Sequence, residues 1–405
     1  MQLSVAYTFE PGIIARLAQH PQVREIYGKL DRDIIGGGRS TYTLRPTSGG
    51  RLRAAIAEAH RHGIAFNYLV NASTLDGTEQ TRRGQARIRR FLDRLDELGV
   101  DAVTLASPLL LKVVKRVHPR LKVRVSAFAC VDSPEKARQW QDLGADTLCL
   151  SAIACNRDFR TLAAIRAATT CGLQLIVNAS CLPHCCHELT HMNLLTQSSR
   201  SGHALGGFCL DYCFLHCSQQ RLRRPEYYLR SVWIRPEDTP VYEQMGYTNF
   251  KIVERSCPAD LLLRRVAAYA ARRFDGNLME LVAPVAQVKR ELGQSLTQRL
   301  RMLATLARPW YARLSSLRLL QRYAEQAMPH DFSEQGSTVF IDNRQLDGFL
   351  GGLRQHDCSH TDCDRCAYCR DWATRTVRVR ESFRLQQLDM GSRLEEGLAS
   401  GSLWG

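Results

Sequence analysis

No stretch of this 405-residue chain approaches the roughly 18 consecutive apolar residues that a bilayer-spanning helix needs. The N-terminus, Met1-Gln2-Leu3-Ser4, carries no basic segment leading into an apolar run of the signal-peptide kind. These two absences make a soluble, unexported, cytoplasmic protein the expectation. Glycine and proline are limited to 27 and 14 residues and apolar residues reach 44%, so a collagenous or disordered chain is excluded. No internal repeat is evident. Lysine is scarce as well, because nearly all of the 55 basic residues are Arg.

Set against 40 acidic residues, that arginine content leaves a formal net charge of +15. The excess favours an anionic partner, either nucleic acid or a small acidic substrate, although an Arg-rich composition alone produces the same sum. The chain is also rich in cysteine, with 15 residues. In a long, unexported chain with tightly spaced Cys clusters, metal or iron–sulfur ligation is the better expectation than disulfides.

From the N-terminus to about residue 275, short β-branched runs alternate with helix-period segments. Nine candidate strands are Leu3–Phe9, Glu25–Leu30, Ile64–Asn71, Ala102–Ala106, Lys122–Phe128, Thr147–Ser151, Gln174–Asn178, Leu229–Ile234 and Thr248–Glu254. Helical segments such as Gly84–Leu98, Leu109–Val117, Pro134–Leu143 and Arg160–Thr170 lie between them, with Gly99, Gly144 and Gly172 as helix-ending glycines. Repeated βα units predict an α/β fold with a closed (β/α)8 TIM-like barrel, which has one place fewer than the candidates; a doubly wound open sheet is the alternative. The expected division is a barrel over 1–280 with a Cys-rich insertion at 178–217, a helical connector over 281–330 interrupted by Pro309, a Cys-rich metal-binding segment over 331–390 and a flexible tail over 391–405.

Barrel enzymes work at the C-terminal ends of their strands. There the sequence places Asp33-Ile34-Ile35-Gly36-Gly37-Gly38-Arg39, whose glycines would let backbone amides approach a ligand and whose Arg39 could pair with an anionic group. Asn71 and Asn178 each close a strand and are possible substrate contacts or turn caps.

Two cysteine constellations stand out. The first combines Cys181, Cys185 and Cys186 with Cys209, Cys213 and Cys217, and Cys257 follows the last strand. Paired C-x3-C spacings on either side of a loop can bring four thiolates to one centre, and thiolates select zinc or iron–sulfur clusters. The second is Cys358, Cys363, Cys366 and Cys369, a C-x4-C-x2-C-x2-C run in which four thiolates need no distant partner; zinc and a second iron–sulfur cluster are both allowed. Within the first constellation, His187-Glu188-Leu189-Thr190-His191 is an H-E-x-x-H run, the arrangement of zinc peptidases.

Glu25-Ile26-Tyr27-Gly28, the N-A-S-C-L-P-x-C stretch at 178–185, the G-x-C-x-x-x-C stretch at 207–213 and Phe250-Lys251-Ile252-Val253-Glu254-Arg255, in that order, resemble the collagenase-like peptidase family U-32 over most of residues 1–280. One departure is that the family's K-I-E-G-R reads Lys251-Ile252-Val253-Glu254-Arg255 here, with the acid one place later. The resemblance implies a 4Fe-4S cluster on Cys181, Cys185, Cys213 and Cys217, with Cys209 and Cys257 as substitutes. It implies Lys251 and Arg255 as holders of an anionic substrate or co-substrate, and His191 as proton donor or as a partner of the cluster. Oxygen-independent hydroxylation, or a related redox modification, of an aromatic small molecule or RNA base is the expected function, with a partner subunit possible. The alternatives are a peptidase acting through His187, Glu188 and His191, and a non-catalytic RNA-binding or scaffold protein with structural metals.

Overall fold

The computed structural model of the protein describes residues 1–41, 44–203, 207–285, 314–327, 329–358 and 360–404. Eight parallel strands close one barrel: β1 Gln2–Ala6, β2 Val23–Gly28, β3 Ala65–Val70, β4 Ala102–Leu105, β5 Lys122–Val125, β6 Thr147–Cys149, β7 Gly172–Ile176 and β8 Asn249–Ile252. Each pairs with its sequence neighbour, and β8 returns to β1 with Ser4 opposite Lys251. Closure removes the open-sheet alternative. The surplus candidate is Leu229–Ile234, whose start belongs to the helix Glu226–Arg230. Its remainder runs beside the chain leaving β7, where Val232 and Ile234 donate to the carbonyls of Cys181 and Val177 at 3.0 and 2.8 Å.

The helices begin where polar side chains satisfy their first amides. Thr81, Ser107, Ser133 and Asp158 accept from Gly84, Leu110, Lys136 and Thr161 at the starts of Arg82–Glu97, Pro108–Val117, Pro134–Asp142 and Phe159–Ala168. Gly99 and Gly144 follow two helices in left-handed backbone, φ 80° and 101°, as a helix end requires. Gly172 instead opens β7.

Alternation along the strands sends Val5, Ile26, Phe66, Val103, Val123, Leu148, Leu175 and Phe250 outward to the helices, all buried. The residues between them point inward and are largely polar. Glu25 is the hub: its Oε1 accepts from Ser4 Oγ at 2.6 Å and Asn67 Nδ2 at 3.2 Å, and its Oε2 from Arg124 Nε at 2.6 Å. A buried carboxylate so paired avoids the cost of an isolated charge. Ala6, Tyr27 and Leu69 form the next layer towards the mouth.

The C-terminal part is fastened to the barrel. Strands β9 Val339–Ile341 and β10 Val377–Val379 pair antiparallel, and the Asn277 side chain bridges to β9, accepting from the Ile341 amide and donating to the Val339 carbonyl. Phe349, 1% exposed, belongs to the barrel's own apolar core. The flexible tail expected over 391–405 is instead largely helix Glu381–Ala399, packed through Met390 and Leu394 on Leu215 and Tyr323. Gly391 serves close packing: a Cβ there would stand 1.9 Å from the Gln219 amide nitrogen. Of the expected connector, the helices Met279–Val282 and Leu314–Ala327 are described, while Pro309 lies outside the described residues.

Candidate functional site

Strand β2 and its continuation place Glu25, Tyr27 and Lys29 on one face by the two-residue repeat, ascending the barrel interior. Lys29 is fully buried, and its Nζ lies 3.0 Å from Asp33 Oδ2, which also accepts from Tyr68 Oη at 2.9 Å. Burial lowers the Lys29 pKa, and the Asp33 charge opposes that drop. From β8, Lys251 sets its Nζ 4.1 Å from the centre of the Tyr27 ring, a cation–π contact inside the barrel. Burial pushes its pKa down too.

Beyond β8 the backbone turns sharply, with Glu254 at φ 107°. Its Oε2 pairs with Arg39 at 3.0 Å and its Oε1 accepts from Ser256 Oγ at 2.5 Å. The next residue, Arg255, is buried, and one guanidinium nitrogen, Nη2, has no protein hydrogen-bond partner. Burial, with Arg39 adding repulsion, pushes its pKa down to about 10. An orphaned buried guanidinium donor costs about 1–3 kcal/mol unless an acceptor reaches it. The mouth is thus built with Lys29 and Arg39 paired internally and Arg255 retaining an unfilled donor.

Other expected contacts are consumed by the fold. The Gly36–Gly38 amides are all taken: Gly36 donates to Asp33, Gly37 to Ser199 Oγ and Gly38 to Asn71 Oδ1. The glycines serve tight packing, since a Cβ at Gly37 would stand 2.8 Å from Asn71 Oδ1. Asn71 also donates to Ser126, while Asn178 exchanges both amide bonds with the Val253 backbone, extending the pairing of β7 and β8 by side chain. In this structure the Gly36–Gly38 amides and the side chains of Asn71 and Asn178 are thus partnered within the fold.

The insertion after β7 collects the first cysteine group from a loop and a helix. Cys213, Cys217 and Arg221 fall at four-residue intervals on Tyr212–Arg223, on one face, and Cys181 and Cys185 come to them from the loop. Burial raises Cys181 and Cys213 to about 12, and neighbouring thiols add to it: Cys217 and Cys185 at Cys181, and Cys185, Cys217 and Cys186 at Cys213 beyond the Asp211 charge. The buried Arg221 donates to Cys217 Sγ at 3.5 Å and to the Ser180 carbonyl. Cys209 associates instead with Ser198 and Ser40, and Cys257 with Arg265 and Glu254.

The three side chains of the H-E-x-x-H run are engaged with separate partners in this structure. His187 precedes the helix Glu188–Ser198 and packs on His216, ring centres 4.5 Å apart; His191 Nε2 pairs with Asp211 Oδ2 at 3.0 Å; Glu188 accepts from Ser151 Oγ at 2.9 Å. Among the described residues, no three His, Cys, Asp or Glu side chains are arranged to hold a single ion. The first cysteine group has the chemistry a 4Fe-4S cluster takes, four thiols with a guanidinium hydrogen-bonded to one of them, and a cluster spaces its sulfurs more widely than one ion does.

The second group, Cys358, Cys363, Cys366 and Cys369, lines a single indentation where the C-terminal segment meets the barrel. Sequence reasoning missed Lys29, Asp33 as its partner, Tyr68, Arg221 and the barrel residue Arg157 beside the second group. The alternation of Glu25, Tyr27 and Lys29 was the one available signal.

Residues 33–275 match the model described as peptidase family U32. An uncharacterized protease of Methanocaldococcus jannaschii is 28% identical over 349 residues, spanning 86% of this chain and 87% of its own. A solved U32 peptidase structure is 21% identical, covering 64% of this chain and 94% of that one, with a TM-score of 0.48. A chitinase of Rhizomucor miehei is 11% identical over 67% of this chain and 100% of its own, TM-score 0.38. Among the described residues no helix is long and apolar enough to cross a membrane.

Proposed function

The chain belongs to peptidase family U32, and from that premise we propose that it is an iron–sulfur enzyme performing oxygen-independent hydroxylation, or a related redox modification, of an aromatic small molecule or RNA base. The observation that carries this reading is the gathering of Cys181, Cys185, Cys213 and Cys217 around Arg221 beside a cationic barrel mouth. A cluster bound there supplies electron transfer and a Lewis-acidic site. The reaction balances as R–H + R′–OH → R–OH + R′–H, in which an anionic organic co-substrate gives up its hydroxyl and leaves reduced, so dioxygen is not consumed.

The protein's own contribution is to bind and orient. The unfilled Nη2 of Arg255 donates to an anionic oxygen, and Lys251, on the Tyr27 ring, adds positive charge deeper in the barrel. Arg39 and Glu254 hold each other, fixing the turn that presents Arg255. His191, pinned by Asp211, positions the helix carrying Cys213.

The test is purification without oxygen, followed by iron, acid-labile sulfide and zinc analysis of the wild type and of single Ala variants at Cys181, Cys185, Cys213 and Cys217. Each variant is expected to lose iron and part of the visible absorption. A colourless wild type containing zinc, or four variants that keep all their iron, overturns the reading.

A further inference from the structure

The second cysteine group sits in a turn whose backbone works to face its sulfurs inward. Cys363 and Cys366 begin and end a single helical turn, Ala367 follows in the left-handed region at φ 57°, and Cys369 is the second residue of the helix Tyr368–Thr376. Left-handed backbone is costly for alanine, by about 1 kcal/mol, and is held here by what it brings together. Cys358 closes the set from the preceding loop, and Cys366 Sγ lies 3.6 Å from His356 Nδ1.

Tyr368, which lines the indentation, stacks on Phe349 with ring centres 5.6 Å apart, and Phe349 leads to the barrel. Arg157, in the turn between the helices Ala152–Cys155 and Phe159–Ala168, stacks its guanidinium 4.5 Å from the centre of the Trp233 ring and 5.5 Å from that of Phe349. It donates through Nη1 to the Leu229 carbonyl, while Nε is shielded from solvent and has no partner. The charges that bear on it include Cys369 and Cys358. Arg230 also lines the indentation, and Glu226, the acidic residue there, is paired with Arg224 at 2.9 Å.

We propose that Cys358, Cys363, Cys366 and Cys369 hold a second iron–sulfur cluster at the joint between barrel and C-terminal segment, with Arg157 as the barrel's counter-charge to it. Four thiolates around an oxidised 4Fe-4S core carry a net charge of about −2, which a neighbouring guanidinium offsets. Cys363, Cys366 and Cys369 follow the C-x2-C-x2-C spacing by which bacterial ferredoxins hold a 4Fe-4S cluster, and Cys358 supplies the fourth thiolate. All four cysteines line the same indentation, so one cluster can reach each of them. This site shares no cysteine with the barrel mouth.

The experiment uses the full chain purified without oxygen, comparing wild type with Cys363→Ala/Cys366→Ala and Cys213→Ala/Cys217→Ala. About eight irons per chain are expected, falling to about four in either double variant, with a different reduced-state paramagnetic signal lost from each. Arg157→Met is expected to move the midpoint potential of the signal assigned to Cys363 and Cys366 to more negative values, and Arg157→Lys to restore it. Loss of one zinc and no iron from Cys363→Ala/Cys366→Ala, or loss of no metal, overturns the proposal; an unmoved potential in Arg157→Met overturns the counter-charge. If only the Cys213→Ala/Cys217→Ala variant keeps all its iron, the barrel-mouth reading fails and this site stands.

Discussion

At the barrel mouth, Cys181 and Cys185 meet Cys213 and Cys217 across the helix Glu188–Ser198, while their guanidinium partner, Arg221, is one turn beyond Cys217 on the same helix. In the C-terminal segment the four cysteines lie within twelve residues, and the guanidinium beside them comes from Arg157, some 200 positions earlier. In the sites proposed, one group has remote ligands and a local counter-charge, and the other has local ligands and a remote counter-charge. On that reading, close spacing of cysteines does not by itself make a module self-sufficient. Phe349 joins the C-terminal segment to the barrel, packed between Trp233, at 6.0 Å, and Tyr368, at 5.6 Å.

The strongest way to break that comparison is Phe349→Ala. Emptying an aromatic site 1% exposed should cost about 3–5 kcal/mol. If the C-terminal group depends on the barrel, the variant loses metal there while the folded fraction keeps metal at the mouth, as element-specific analysis beside thermal melting would reveal. Full metal retention at Cys358–Cys369 would mean that the group is self-contained after all.

A smaller effect, shared by neither group, is expected at Asp146. Burial alone would raise its pKa, but bonds from Lys115 Nζ at 2.6 Å and the Val123 amide at 2.7 Å, with Lys122 further off, hold it below its usual value. A depressed folded-state pKa means stability that is present above the unfolded value, near 4, and lost as pH falls through the folded one. Asp146→Asn should therefore lower stability by about 1 kcal/mol at neutral pH, after allowance for solvent screening at this partly exposed group, and the gap to wild type should close below about pH 4. Iron content should not change. A gap that persists in acid would remove the carboxylate's charge as its cause.

The smallest effect is expected from Glu188→Gln. Its bond from Ser151 Oγ needs only an acceptor oxygen, which Gln retains, so stability should change by less than about 0.5 kcal/mol. Metal content and activity should stay near wild type. Loss of peptide-cleaving activity with zinc retained would restore the peptidase reading and leave the mouth cysteines without the role proposed for them.

The barrel was legible because short strand-like segments recur between helix-period segments, and because Thr81, Ser107, Ser133 and Asp158 mark helix starts by chemistry that is local in sequence. Leu229–Ile234 carried the same apolar signal without taking a place in the ring, since apolar content reports burial rather than strand pairing. Lys251 and Arg255 were singled out through the family resemblance, and they lie on and just beyond β8. Asn71 and Asn178 stood at equally suggestive positions and turned out to be bound to Gly38 and to Val253.

By itself, the sequence determined the βα units and the local spacings of Cys358–Cys369 and of Cys209, Cys213 and Cys217, all of which follow from periodicities of a few residues. Tertiary structure alone decided the neighbours of each cysteine: Cys217 and Cys185 beside Cys181, Cys185, Cys217 and Cys186 beside Cys213, Ser198 and Ser40 beside Cys209, and Arg265 and Glu254 beside Cys257. It also decided that His187 and His191 are engaged separately, that Gly391 lets a terminal helix pack closely on Gln219, and that Arg157 faces the C-terminal cysteines. The reason is common to all of these. A side chain's partners across a closed barrel are set by how distant segments pack, and no short-range pattern in the chain encodes that distance.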